Sequence, residues 1–129
     1  GINISYKNDG KNKYLIYGIE NRIEQIVANL LDNAISFSDD NKDVIVQVSK
    51  SQDDKVYIKI LDEGQGFKEK DTNKIFKRFY SNRPDKFGQH SGLGLNIVKN
   101  LVDLHNATIR ASNRHDKKGA SMEIEFPKV

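Results

Sequence analysis

The chain has 129 residues, 36% hydrophobic and 30% charged, which suits about one domain with a buried core. It contains no cysteine, which excludes disulfides, thiol nucleophiles and cysteine-ligated metal sites. The net charge of +3 comes from scattered basic residues and gives no support to nucleic-acid binding, and no apolar run is long enough to span a membrane.

The first half of the sequence predicts strands around one long helix. Alternating apolar residues at 2–6, and a short apolar run at 14–17 after an Asn-Asp-Gly turn, predict two opening strands. Apolar residues at three- and four-residue spacing from Ile19 to Ala34 predict an amphipathic helix. Alternation at 44–48 and 56–60 predicts a hairpin with one wet face.

The second half begins with a long glycine-rich and charged connection over 62–92. A second helix is predicted from Leu93 to Val102, and it begins at a pair of glycines, Gly92 and Gly94. Alternation at 107–111 and 122–126 predicts a closing hairpin. This order predicts an α+β fold, a two-layer α/β sandwich with helices on one face of a mixed, mostly antiparallel sheet.

Two asparagines mark a candidate site on the first helix. Asn29 and Asn33 are four residues apart, at the same edge of the apolar face. An amide there can offer oxygen to a hard cation or nitrogen to phosphate without adding charge. The alternative is that one of them simply bonds a neighbouring loop.

Two glycine segments are the other candidates. Asp62 ends a strand and precedes Gly64 and Gly66, so its carboxylate can accept from an exocyclic amine while the glycines let the backbone approach a ring. The alternative is a solvated loop. Residues 91–95 open the second helix, and the unpaired N–H groups of its first turn can bind phosphate. The alternative is that these glycines form a flexible hinge.

As a set, these segments resemble the ATP-binding catalytic domain of sensor histidine kinases, in the group that includes gyrase, Hsp90 and MutL. Residues 29–34 are similar to the N box, 62–66 to the first glycine box, 75–80 to the F box and 92–95 to the second glycine box. The resemblance implies one Bergerat-fold domain over 1–129, with about five strands, about three helices and an ATP lid at about 68–92.

The resemblance also implies a Mg²⁺-ATP site. Asn33 would bind Mg²⁺, Asn29 would assist it, and Asp62 would receive the adenine amine. Phe37 would pack near adenine, and Arg83 would contact the γ-phosphate, sharing the catalytic role with Asn29. The other implied nucleotide-binding residues are Gly64, Gly66, Phe76, Arg78, Tyr80, Ser91, Gly92, Leu93, Gly94 and Leu95.

The implied activity is that of a protein-histidine kinase in a two-component system. Hydrolysing relatives carry a glutamate as general base where this chain has Asn29, which cannot take a proton at neutral pH. The γ-phosphate would therefore pass to a histidine on a dimerisation domain of the same parent protein, with a response regulator downstream. The chain would be a cytoplasmic part of a sensor anchored in the inner membrane, with no direct membrane contact and no nucleic-acid partner.

Some positions depart from the family pattern. Ser36 and Ser81 stand where basic residues are common, which keeps open a nucleotide-dependent interaction module (a pseudokinase). A serine kinase of the anti-sigma-factor type, or an ATPase of the same fold, is a further alternative. Ile19 replaces a frequent capping aspartate and leaves the cap to Glu20 or Asn21. Residues 79–84 and 87–92 are also similar to envelope-stress sensor kinases of alphaproteobacteria.

Overall fold

The computed structural model describes residues 3–7, 14–38, 42–67, 76 and 93–129. These residues form five strands and two helices in the following order: β1 (Asn3–Lys7), α1 (Glu20–Phe37), β2 (Asp43–Lys50), β3 (Val56–Leu61), α2 (Leu93–Leu104), β4 (Thr108–Asn113) and β5 (Ala120–Phe126). Neither helix combines the length and apolar character that crossing a membrane requires.

The strands form one sheet in the order β1-β2-β3-β5-β4. β1 pairs parallel with β2, and the other neighbours pair antiparallel. The predicted mixed, mostly antiparallel sheet is therefore confirmed, as are both predicted helices and both later hairpins. About three helices are expected, and the described part of the chain contains two.

The second opening strand, predicted at 14–17, is wrong. These residues lead into α1 without joining the sheet. The side chains do alternate between buried and exposed positions, because Tyr14 and Ile16 pack against the core while Leu15 and Tyr17 are exposed. A segment that lies on a core with one side produces the same period of two as a strand.

One face of the sheet packs against both helices. The buried side chains of β5 alternate along the strand as Ala120, Met122, Ile124 and Phe126, and they share a core with Leu30 of α1. The intervening residues face away from the helices: Glu123 pairs with Lys59 of β3 at 3.6 Å, and Glu125 accepts a hydrogen bond from Tyr57 at 2.7 Å. Burial on one face only explains why the strand pattern in the sequence is so regular.

Helix α1 has no side-chain cap at its first turn. Ile19 occupies the N-cap position, so the expected cap by Glu20 or Asn21 is wrong. The Ile19 main-chain N–H instead donates to Nε2 of His105, at 3.1 Å. His105 lies just past α2, is buried, and its Nδ1 donates to the Leu101 carbonyl at 2.7 Å. A buried histidine just past α2 thus satisfies the N–H of the residue before α1, which has no side-chain cap of its own.

Helix α2 ends in a turn that leads directly into β4. Asn106 has a left-handed backbone (φ 55°), and the N–H of Ala107 reaches back to the Val102 carbonyl at 3.1 Å. The Asn106 N–H donates to the Asp103 carbonyl, which completes a Schellman motif. The side chains of Val98 and Val102 are fully buried beside α1. The two helices are therefore fixed relative to each other and to the sheet.

Two leucine truncations test this assignment of the core. Leu30 is 1% exposed and Leu104 is 59% exposed. We expect Leu30→Ala to lower the free energy of unfolding by about 2–5 kcal/mol, since it leaves a cavity. Leu104→Ala, the matched control, should change it by less than about 1 kcal/mol. Urea unfolding followed by circular dichroism measures both, and equal losses would contradict the assigned core.

Candidate functional site

The two asparagines of α1 lie at the border of its buried face. Ile26, Leu30 and Ala34 point into the core, while Asn29 and Asn33 are both half-buried. One turn of helix separates the two amides, so they occupy neighbouring positions on the same side. The predicted placement at the edge of the apolar face is confirmed.

Asp62 sits where β3 passes into the glycine-containing loop of residues 62–67, here called the aspartate loop. The side chain is 2% exposed, and Oδ1 accepts from the main-chain N–H groups of Gly64 at 2.9 Å and Ala120 at 3.1 Å. The Asp62 N–H donates to the Ala120 carbonyl at 3.0 Å, which continues the pairing of β3 with β5. The alternative of a solvated loop aspartate is therefore wrong, because the carboxylate is buried and held at a fixed position.

The aspartate loop is joined to the end of α1. Gly64 forms an isolated antiparallel bridge with Ser38, the residue directly after the helix. Phe37, the last residue of α1, is buried there. The fold therefore brings together the end of the helix that carries Asn33 and the loop that carries Asp62, which lie far apart in sequence.

The turn between β4 and β5 supports the aspartate loop from the other side. Asn113 accepts from the Phe67 N–H at 2.6 Å and donates to the Phe67 carbonyl at 3.2 Å. Arg114 donates from Nη1 to the Asp62 carbonyl at 3.2 Å. The sequence pattern predicts only a closing hairpin here, since no local signal reveals a contact between residues 46 positions apart.

Hydrogen bonds and charge pairs lower two pKa values around this loop. The main-chain N–H of Asp43, and then the Lys117 ammonium, hold the pKa of Glu63 below its ordinary value. The Arg114 guanidinium, whose side chain is 4% exposed, lowers the pKa of Asp116 to about 2. Both carboxylates are therefore negative at neutral pH. Glu63 ties the loop to β2 and to the β4–β5 turn, while Asp116 holds Arg114 within that turn.

The other candidate residues that the structure describes lie on helix α2 or contact it. Phe76 is buried, and its carbonyl accepts from the Asn96 side chain at 3.2 Å. Leu93 begins α2, and Leu95 packs against the core. Gly94 is exposed, and a Cβ added there would meet no atom of the described residues within 4 Å. Packing against the described part of the chain therefore does not explain this glycine.

Part of the predicted site lies outside the described residues. It comprises Arg78, Tyr80, Arg83, Ser91, Gly92 and most of the expected lid. Within the described ranges, no three His, Asp or Glu side chains come close enough to hold a metal ion by themselves.

Comparison with known proteins identifies the relatives of this arrangement. Residues 18–129 match the family described as histidine kinase-, DNA gyrase B-, and HSP90-like ATPase. The sensor protein ChvG of Agrobacterium fabrum is 39% identical over 123 residues, which is 93% of this chain and 20% of ChvG. The chain thus spans about a fifth of the length of that relative.

Solved structures agree with the sequence match. Full-length ShkA in complex with AMPPNP superposes with a TM-score of 0.80 at 26% identity, over 98% of this chain and 26% of ShkA. Histidine kinase ThkA in complex with the response regulator protein TrrA gives 0.78 at 25% identity, over 99% of this chain and 34% of that one. With the match over residues 18–129, this chain belongs to the histidine kinase-, DNA gyrase B-, and HSP90-like ATPase family.

Proposed function

We propose that residues 1–129 are the catalytic and ATP-binding domain of a protein-histidine kinase, with an ATP lid at about 68–92. The domain binds Mg²⁺-ATP and donates the γ-phosphate to a histidine on a separate dimerisation domain of its parent protein. The observation that carries this proposal is the buried Asp62 carboxylate, fixed by the N–H groups of Gly64 and Ala120. Family membership over residues 18–129 supports it.

Asp62 is suited to recognise adenine. Its carboxylate is already oriented by two main-chain donors, so it can accept from an exocyclic amine without rearranging. Gly64 and Gly66 follow, and Gly66 has a left-handed backbone (φ 76°) that glycine adopts at little cost. Phe37 is buried beside this loop and belongs to the proposed base pocket. The ShkA structure contains the ATP analogue AMPPNP, which supports the same ligand class here.

The amides of α1 fit a magnesium ion. Asn33 would hold the ion and Asn29 would assist, since half-buried neutral oxygen donors are ligands that Mg²⁺ accepts when phosphates supply the charge. When bound, Mg²⁺ neutralises charge on the phosphates. Residues 91–95, of which Leu93 begins α2, would place main-chain N–H groups against the same phosphates. Phe76, Arg78, Tyr80 and Arg83 complete the proposed nucleotide site, with Arg83 on the γ-phosphate.

Asn29 favours transfer over hydrolysis. A glutamate at this position could accept a proton from water, whereas an amide cannot. A neutral histidine needs no such base: its nitrogen attacks phosphorus, a P–N bond forms, and the bond to the bridging oxygen breaks so that ADP leaves. The domain therefore contributes positioning and charge neutralisation.

The proposed partners follow from this chemistry. They are the histidine-bearing domain of the parent protein and a downstream response regulator, as in the ThkA–TrrA complex. We place the domain in the cytoplasm, in a parent anchored in the membrane. A nucleotide-dependent interaction module remains the second candidate, because Ser36, half-buried on α1 three residues after Asn33, supplies no positive charge.

Nucleotide binding tests the base and metal contacts. We expect Asp62→Asn to weaken binding of AMPPNP at least about tenfold, since the acceptor for the amine is altered. Asn33→Ala should remove most of the enhancement by Mg²⁺. Isothermal calorimetry with and without Mg²⁺ measures both. Asp54→Asn, in the exposed β2–β3 turn, and Asn100→Ala, exposed on α2, are matched controls that should bind normally. Normal binding by Asp62→Asn would contradict the assignment of the base site.

Gly94→Ala separates binding from stability. An added methyl group meets no atom of the residues that the structure describes, and alanine favours a helix, so we expect stability unchanged or raised by up to about 1 kcal/mol. The methyl group would crowd a phosphate at the start of α2 and weaken AMPPNP binding about tenfold. Thermal unfolding and calorimetry on the same sample check both effects. Unchanged affinity would remove Gly94 from the site.

Phosphate transfer distinguishes the candidate functions. The chain is incubated with γ-labelled ATP, alone and with the histidine-bearing domain of its parent protein. We expect acid-labile label on that domain, and none when its histidine is replaced by glutamine. Acid-stable label would instead indicate a serine kinase. Nucleotide binding without transfer would favour the interaction module.

A further inference from the structure

We propose that Asn113, at the end of β4, is a positioning residue for base recognition. Its side-chain amide holds the aspartate loop in the shape that presents Asp62 to the nucleotide. This inference rests on the proposed function, because it assigns Asn113 a role in the same base site.

The first argument is the geometry of the Asn113 amide. Its Oδ1 accepts from the Phe67 N–H at 2.6 Å, and its Nδ2 donates to the Phe67 carbonyl at 3.2 Å. The side chain therefore satisfies both main-chain groups of one residue, as a neighbouring strand would. Phe67 itself is buried in the core, so this end of the loop is fixed by packing and by hydrogen bonds.

The second argument is the close approach of Gly66. A Cβ built on Gly66 would come within 2.5 Å of Asn113 Oδ1 and 3.3 Å of the Gly119 carbonyl. The loop backbone therefore lies directly against the β4–β5 turn. The glycine, whose backbone is left-handed, is required by this contact as well as by the loop conformation.

The third argument is that the two ends of the loop are held separately. Asp62 is held by the N–H of Ala120 and, through its carbonyl, by Arg114, while Phe67 is held by Asn113. Gly64 lies between them and donates to Asp62 Oδ1. The path of the backbone from Gly64 to Phe67 sets the direction of the Gly64 N–H. Releasing Phe67 therefore weakens the contact of Gly64 with the Asp62 carboxylate, while the contact of Ala120 with that carboxylate remains.

A selectivity measurement separates positioning from general stability. ATP carries an exocyclic amine on its base, whereas ITP carries a carbonyl oxygen there. In Asn113→Ala we expect ATP affinity to fall about 5- to 30-fold and ITP affinity less than about twofold, so that the ratio of the two falls. His115→Ala, an exposed residue in the same turn, is the matched control and should leave the ratio unchanged.

Hydrogen exchange without nucleotide reports on the loop directly. We expect the Phe67 amide to exchange at least about tenfold faster in Asn113→Ala, while the Ala120 amide, bonded to Asp62, keeps its protection. Equal weakening of ATP and ITP, or an unchanged Phe67 exchange rate, would overturn the role of Asn113.

The two proposals fail in different ways. If the unsubstituted chain bound neither nucleotide, the proposed function would fall, and the role of Asn113 in base recognition would fall with it. This would hold even if the exchange rate of the Phe67 amide still showed that Asn113 holds the loop. If the unsubstituted chain preferred ATP and Asn113→Ala preferred it equally, the inference about Asn113 alone would fall.

Discussion

The burial of the Asp62 carboxylate is the constraint on which the rest of the site depends. A buried acidic group is tolerated only when polar neighbours satisfy it, and here the main-chain N–H groups of Gly64 and Ala120 both donate to Oδ1. Gly64 lies in the loop and Ala120 begins β5, so the carboxylate joins the loop to the sheet. The loop in turn meets Ser38 at the end of α1 through Gly64. One carboxylate thereby ties the sheet, the loop and the helix into a single arrangement.

The regular elements could be predicted from the sequence because each buries one face. The period of α1 and the alternation of β2, β3 and β5 follow directly from the core that Leu30, Ile60 and Ile124 share. The error at 14–17 has the same origin. That segment also lies with one side on the core, and alternation reports the burial of one side, not whether a strand partner exists.

The candidate site could be predicted only where its residues are close in sequence. Asn29 with Asn33, and Asp62 with its glycines, form local patterns that chemistry and family resemblance both identify. The contacts of Asn113 and Arg114 depend on the register that pairs Asn113 with Ala120, and a single sequence contains no record of that register. The His105 contact with Ile19 is equally non-local, spanning 86 positions, so the local sequence around Glu20 and Asn21 contains no sign of it.

The His105 contact also has a mechanical consequence. Its imidazole joins the last residue before α1 to the end of α2, and Gly18 lies so close that an added Cβ would come within 2.8 Å of the ring. A displacement of residues 14–18 would therefore act on the start of α1 and, through His105, on the end of α2. Helix α2 has 12 residues and spans about 18 Å. Its N-terminus, which is the end distant from His105, carries Gly94, which is proposed to contact phosphate. Helix α2 therefore connects the segment that precedes α1 with the proposed phosphate edge of the site.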